Sequence, residues 1–129
     1  MNISEAAIAT GLSAKTIRYY EKEGVITAAK RGDNGYRQYD TAQIEQLLFI
    51  KRARGLGFSL ADSQELLDLA NNPSRTSAEV KQRAVEHLHN VEEQIKQLES
   101  IRSALNGVIE ACAGDENSQC PILEKLGIG

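Results

Sequence analysis

The sequence predicts a mainly α-helical protein with one small β-hairpin and one very long helix in its C-terminal half. Aromatic residues make up only 5% of the 129 residues and Trp is absent, so we expect an aliphatic core. Segments that begin with Ser, Thr or Asp and end near Gly divide residues 4–70 into pieces of helical length. From residue 77 to 112 there is no Pro and one Gly, and apolar residues recur at steps of four and three.

Residues 4–23 are typical of two short helices joined by a tight turn. Ser4 is a candidate N-cap for the first helix and Gly11 for its end, while Ser13 can cap a second helix that Gly24 stops. This layout predicts a helix-turn-helix, whose second helix enters the major groove of DNA. We expect its core to contain Ile3, Ala7, Leu12, Ile17 and Val25, and its DNA-facing side to present Lys15, Thr16, Arg18 and Tyr19.

Residues 25–40 predict a basic β-hairpin beside that motif. Asn34-Gly35 favours a tight turn in which both central residues have positive φ. Arginine and tyrosine side chains around the turn could bond to phosphate, which is the role of a wing; the candidates are Arg31, Tyr36, Arg37 and Tyr39. The alternative is an ordinary helical domain with a few exposed arginines.

Two further helices complete the predicted N-terminal domain, residues 1–70. Asp40 or Thr41 can cap a helix over 41–55, and Ser59 can cap another over 59–70. Pro73 and the surrounding Asn and Ser residues interrupt the chain at 71–76, which we interpret as a hinge.

The apolar stripe of the long helix, residues 77–111, is the pattern of a coiled coil. Such a helix would be about 50 Å long. It cannot bury its stripe against a domain of this size, so we expect a second copy of the chain to cover it. The periodicity does not give the direction of the two helices.

Cys112 and Cys120 enclose a loop of seven residues that is rich in turn formers, and Pro121 can begin a short last helix. Two thiols are too few for a structural zinc site or an iron–sulfur cluster from one chain. Soft thiolates suit Cu(I) and its heavier relatives. A thiol redox switch, and a disulfide or inert thiols, remain open on spacing alone; no neighbouring His supports a nucleophilic cysteine, so no enzyme is expected.

The net charge of −3 conceals an uneven distribution. Residues 1–57 carry nine Lys/Arg and six Asp/Glu (+3), whereas residues 58–129 carry six and twelve (−6). A basic N-terminal half agrees with DNA binding. The sequence has no apolar run of membrane-span length and no signal-peptide pattern, so we expect a cytoplasmic protein without a membrane partner.

The blocks TIRYYEKEGVI, NGYRQYD and ARGLGFSL resemble those of the MerR family of bacterial regulators, and the resemblance extends over the full chain. It implies a winged helix-turn-helix, a homodimer held by an antiparallel coiled coil, and promoter DNA that is bent and untwisted for RNA polymerase. The loop with Cys112 and Cys120, followed by Pro121-Ile122, is similar to that of the copper-responsive branch.

That branch implies linear binding of Cu(I), Ag(I) or Au(I) by Cys112 and Cys120. Members that respond to divalent metals have a third Cys where this chain has Ser77. Ser77 could therefore set metal selectivity or serve as an ordinary N-cap, and Lys81 could offset the negative charge of a bis-thiolate centre. The leading hypothesis is a Cu(I)-responsive transcriptional activator of copper-efflux and detoxification genes; the alternative is a thiol–disulfide redox sensor that uses the same cysteines.

Overall fold

A computed structural model describes residues 1–33 and 35–127. It is mainly helical, as predicted, and the chain divides into two compact units, Met1–Arg83 and Ala84–Gly129. In chain order the elements are α1 (Ile3–Thr10), α2 (Ala14–Lys22), β1 (Lys30–Arg31), β2 (Arg37–Gln38), α3 (Thr41–Gly55), α4 (Leu60–Ala70), α5 (Ser77–Ala111) and α6 (Pro121–Lys125).

The two helices of the predicted helix-turn-helix are present, but the first begins earlier than expected. Its N-cap is Asn2, whose side chain accepts the backbone N–H of Glu5, while the Glu5 carboxylate accepts the N–H of Asn2. The prediction that Ser4 caps this helix was therefore wrong. The Asn-x-x-Glu spacing of this capping box was a readable signal that Ser4 lacks. Ser13 caps α2 as predicted, accepting the N–H of Thr16 at 3.0 Å.

The core of the N-terminal unit is aliphatic with two tyrosines. Its buried members are Ala6, Ile17, Tyr20, Val25, Ile26, Tyr39, Leu47, Ile50 and Leu67. The predicted burial of Ile17 and Val25 is confirmed, and Ile3, Ala7 and Leu12 are partly buried against this cluster. The burial of Tyr20 and Tyr39 was not predicted.

The hairpin is antiparallel, with Lys30 opposite Gln38 and Arg31 opposite Arg37. Its loop is longer than the two-residue turn predicted, because the N–H of Gly32 bonds to the carbonyl of Tyr36 and the N–H of Gly35 to that of Gly32, each at 2.9 Å. Gly35 has φ +79°, in the left-handed region that favours glycine. The predicted conformation of Asn34 lies outside the described residues.

Helices α3 and α4 pack on each other, and α3 also packs on α1. Asp40 caps α3 through a reciprocal pair of hydrogen bonds with Gln43, and Ser59 caps α4. The buried Gln43 also donates its amide to the carbonyl of Thr27 at 3.0 Å, which fixes the segment between α2 and the hairpin. From α3, Lys51 donates to the carbonyl of Thr10 at 2.8 Å, directly beneath the turn between α1 and α2.

The segment between α4 and α5 is held at both ends. Arg75 donates to the carbonyl of Ala70 at 2.8 Å, where α4 ends. The Thr76 hydroxyl accepts the N–H of Glu79 at 3.2 Å, so the capping role considered for Ser77 belongs to Thr76. Arg83 of α5 pairs with Glu65 of α4 across the exposed surface.

Helix α5 is 35 residues long and contains no buried residue. Eight of its large apolar side chains are 40–63% exposed: Val80, Val85, Leu88, Ile95, Leu98, Ile101, Leu105 and Ile109. Val91 and Val108 are half-buried. Near its end a groove of about 240 Å³ separates it from the short α6. Within the described ranges, no helix combines the length and apolar character that a membrane crossing requires.

Candidate nucleic-acid interface and metal centre

Helix α2 presents most of the predicted DNA-facing side chains to solvent. Lys15, Arg18 and Tyr19 are exposed, because Ile17 and Tyr20 turn the opposite face of the helix into the core. Thr16 is half-buried, and its hydroxyl bonds to that of the N-cap Ser13 at 2.8 Å. Thr16 is therefore tied to the cap at the start of the helix, while the other three side chains extend outward.

A cleft of about 480 Å³ lies between α1, α2 and the hairpin. It brings together four predicted residues, Arg18, Arg31, Tyr36 and Arg37, and adds Asn2, Ser4 and Gln38, which the sequence reasoning missed. Lys15 and Tyr19 do not line it. Three guanidinium groups around one cleft give it the charge and the hydrogen-bond donors that a phosphate backbone requires.

The hairpin side chains are held in different ways. Arg31 donates to the carbonyl of Gly35 at 2.7 Å and so spans the loop of its own hairpin. Tyr36 is exposed, as expected for a side chain that meets a partner. Arg37 on β2 pairs through Nε with Glu21 of α2 at 3.4 Å.

Tyr39 was predicted to face DNA, and that prediction was wrong. Its side chain is 2% exposed, and its hydroxyl donates to the Glu21 carboxylate in the last turn of α2. Burial, followed by the hydrogen bond to Glu21 and its negative charge, raises the pKa of Tyr39 well above its ordinary value. Tyr39 therefore remains a neutral donor and packs inside the domain, where it has no surface to offer a phosphate.

Cys112 and Cys120 converge in the C-terminal unit. Cys112 follows the last residue of α5, Cys120 precedes the first of α6, and the intervening loop brings their Sγ atoms to 3.9 Å. Both are half-buried. The backbone N–H groups of Leu123 and Ile122, at the start of α6, lower the pKa of Cys120 and so favour its thiolate.

The sulfur–sulfur distance defines what this pair can do. A disulfide needs about 2.05 Å, so the two thiols are not bonded. With metal–sulfur bonds of about 2.3 Å, one ion could reach both sulfurs at a bent angle, and separation to about 4.6 Å would make the arrangement linear. In the described part of the chain, no three His, Cys, Asp or Glu side chains come together as ligands. Ser77 and Lys81 are exposed at the start of α5, in the other unit.

Two models of known protein families match this chain. A family model described as "MerR HTH family regulatory protein" matches residues 1–70, and another described as "MerR, DNA binding" matches residues 44–108. The chain belongs to the MerR family. Members of this family are transcriptional regulators and not enzymes, so this MerR-family protein binds DNA to regulate transcription.

Relatives of similar length carry specific names. The chain is 44% identical to the HTH-type transcriptional regulator CueR of Escherichia coli O6:H1, over 98% of this chain and 93% of that protein. It is 43% identical to the regulator HmrR of Rhizobium leguminosarum bv. viciae, over 100% and 99%. Among solved structures, the regulator PbrR691 of Ralstonia metallidurans in complex with lead(II) is similar over 98% and 99% of the two chains, with a TM-score of 0.83 and 28% identity.

Proposed function

We propose that this MerR-family protein is a homodimeric transcriptional activator that responds to Cu(I), or to Ag(I) or Au(I), through Cys112 and Cys120. The expected targets are promoters of copper-efflux and detoxification genes. The single observation that carries the proposal is the pair of thiols 3.9 Å apart, with no third ligand beside them among the described residues.

The donor set favours a monovalent soft ion. Thiolates prefer Cu(I) over hard cations, whereas Zn(II) in structural sites takes four protein ligands. The lowered pKa of Cys120 supports this chemistry, because metal binding requires the thiolate form. The names CueR and HmrR belong to regulators that match 98% and 100% of the chain, which also supports the proposal.

Two residues at the start of α5 are proposed to tune the site from the partner subunit. Ser77 offers no thiolate, so a divalent ion would lack a third sulfur. Lys81 would offset the negative charge of a centre formed by one monovalent cation and two thiolates, which is costly to bury alone. Both roles depend on a dimer whose α5 helices run antiparallel.

The exposed stripe of α5 supports dimerisation. Five of its exposed large apolar side chains recur at steps of seven, three or four residues, as in a coiled coil: Leu88, Ile95, Leu98, Ile101 and Leu105. A second α5 would bury them. It would also place two DNA-binding heads at a fixed separation, as reading a palindromic promoter requires.

The DNA interface is proposed to comprise Lys15, Thr16, Arg18 and Tyr19 of α2 together with Arg31, Tyr36 and Arg37 of the hairpin. Tyr39 is excluded by its burial. Activation would proceed by deformation of a promoter whose recognition elements are poorly aligned, so that RNA polymerase can engage it.

Metal titration under anaerobic, reducing conditions tests the sensing step. Cu(I) is titrated against a competing chelator, with Zn(II) in parallel, into the wild-type protein and the Cys112→Ser and Cys120→Ser variants. We expect tight Cu(I) binding that either substitution weakens by more than about a hundredfold, because loss of a ligand costs more than the roughly 10- to 100-fold lost when a partner outside the ligand shell is changed. Tighter binding of Zn(II), or wild-type affinity in Cys112→Ser, would contradict the proposal.

Transcription in vitro separates the metal sensor from the redox sensor. Promoter, RNA polymerase and regulator are combined with Cu(I) and reductant, or with an oxidant such as a disulfide reagent and no metal. The redox alternative requires the two thiols to give two electrons and two protons to the oxidant as a disulfide forms. Induction by Cu(I) alone supports the proposal, whereas induction by the oxidant alone supports the alternative.

A further inference from the structure

Glu21 places a largely enclosed carboxylate in the last turn of α2, the helix proposed to enter the major groove. Its side chain is 9% exposed. One oxygen accepts the hydroxyl of Tyr39, and the other lies 3.4 Å from Nε of Arg37. Both partners are on the outgoing arm of the hairpin, so a single side chain joins the two elements of the DNA-binding surface.

These contacts tie the hairpin to α2. A carboxylate removed from water is costly unless it is paired and hydrogen-bonded, and here each oxygen has its own partner. The strands of the hairpin are only two residues long, and an isolated two-stranded hairpin has marginal stability. The hairpin therefore depends on what ties it to the rest of the domain.

A second contact holds the hairpin to the domain, but it does not orient the side chain of Arg37. The backbone of Tyr39 exchanges two hydrogen bonds with that of Met1, at 2.6 and 2.8 Å. These bonds fix where the hairpin leaves the domain, two residues beyond Arg37. The side chain of Arg37 is 40% exposed and lines the cleft together with Arg18 and Arg31, and its contact with Glu21 sets its direction.

We infer that Glu21 is a positioning residue for DNA recognition, which holds the hairpin against α2 and aims Arg37 at the DNA backbone. This inference rests on the proposed DNA interface and deepens it. Glu21 itself is acidic and its side chain is only 9% exposed, so it acts through Arg37 and Tyr39 and makes no contact with DNA.

The direction in which Glu21→Gln changes DNA affinity distinguishes a positioning role from a simple charge effect. Glu21→Gln removes a negative charge close to a polyanion, which by electrostatics alone strengthens binding to any DNA. If Glu21 positions Arg37, the same substitution weakens binding to the specific site, because an ordered phosphate contact is lost. Glu23→Gln is the matched control: it makes the same charge change one residue beyond the end of α2, at an exposed position that is not part of this network.

The experiment uses the full-length protein and a duplex selected from random DNA by the wild type, with a scrambled duplex as the non-specific competitor. Affinities are measured over a range of salt concentrations. For Glu21→Gln we expect on the order of a tenfold loss on the selected duplex, a salt slope lower by about one, and no loss on the scrambled duplex. Glu23→Gln should bind both duplexes at least as tightly as the wild type.

A double-mutant cycle with Arg37→Ala tests whether Glu21 acts through that arginine. We expect Glu21→Gln to cost nothing further once Arg37 is absent, and Tyr39→Phe to reproduce part of the effect if Glu21→Gln fails to fold. Additive losses, or tighter binding of Glu21→Gln to both duplexes, would overturn the inference. Failure of the wild type to select any duplex would instead reject the proposed DNA interface.

Discussion

The turn between α1 and α2 gives the sharpest stability prediction, the substitution Gly11→Ala. Gly11 has φ +73°, in the left-handed region, and its N–H bonds to the carbonyl of Ala7 at 2.9 Å. A Cβ added there would lie 2.4 Å from Nζ of Lys51, the group that donates to the carbonyl of Thr10. The substitution therefore combines backbone strain with displacement of a hydrogen-bonding cation.

The magnitude follows from these two effects. Left-handed φ costs an alanine about 1–2 kcal/mol, partly offset by about 0.4–1 kcal/mol from the lower entropy of the unfolded chain. Loss of the Lys51 hydrogen bond adds about 1 kcal/mol, because Lys51 is exposed and can reach water instead. The free energy of unfolding should fall by about 2 kcal/mol, which lowers the midpoint of thermal denaturation by on the order of 5–10 °C.

Urea and thermal denaturation, followed by circular dichroism, check the value, and Gly24→Ala supplies the matched control. Gly24 has nearly the same φ, +72°, but an added Cβ there meets nothing within 4 Å, so strain alone should be measured. In a Lys51→Ala background the cost of Gly11→Ala should fall to that of Gly24→Ala. Equal costs for the two glycine substitutions in the wild-type background would refute the contact argument, and no cost at either would refute the strain argument.

Three further predictions concern the dimer, the buried tyrosine and metal selectivity. Leu98→Glu, at the most exposed large apolar position of α5, should convert the proposed dimer to monomer in sedimentation, while the neighbouring Gln97→Glu should not; a dimer in both would exclude the stripe as the interface. Tyr39→Phe should cost about 1.5–3 kcal/mol in urea unfolding, since a hydrogen bond to a buried carboxylate is lost. Because the folded-state pKa of Tyr39 is raised, its contribution is present below its ordinary pKa of about 10 and is lost as pH rises above it. The stability difference between wild type and Tyr39→Phe should therefore shrink above pH 10, and a constant difference would contradict this. Ser77→Cys should raise affinity for Zn(II) in chelator competition, and unchanged affinity would place Ser77 away from the thiols.

Helix limits and caps could be predicted closely from the sequence because they depend on residues only a few positions apart. Ser13, Asp40 and Ser59 each cap the helix that follows through a bond to a backbone N–H three residues on. The long helix begins at Ser77, directly after the break that Pro73 predicts. The two misplaced caps also depend on neighbouring residues: Asn2 forms a capping box with Glu5 and displaces Ser4, and Thr76 caps the long helix in place of Ser77.

The proximity of the two thiols could also be predicted, because it depends on residues close together in the sequence. Cys112 and Cys120 are close together because a short loop with Gly114 at φ +64° returns the chain between two helices. Pro121 predicted a helix directly after Cys120, but only the structure showed that the N–H groups of Leu123 and Ile122 point at this thiol and lower its pKa.

The sequence by itself determined the helices, the winged helix-turn-helix, the long apolar stripe and the pairing of two cysteines in one loop, since each is encoded in periodicity or spacing along the chain. Only the tertiary structure decided which of the hairpin tyrosines faces outward. Tyr36 and Tyr39 flank the same arginine and carry the same chemistry, yet one is exposed and the other is buried against Glu21, 18 residues earlier in the chain. A two-residue strand does not fix which side chain turns inward; that depends on what α2 presents to it.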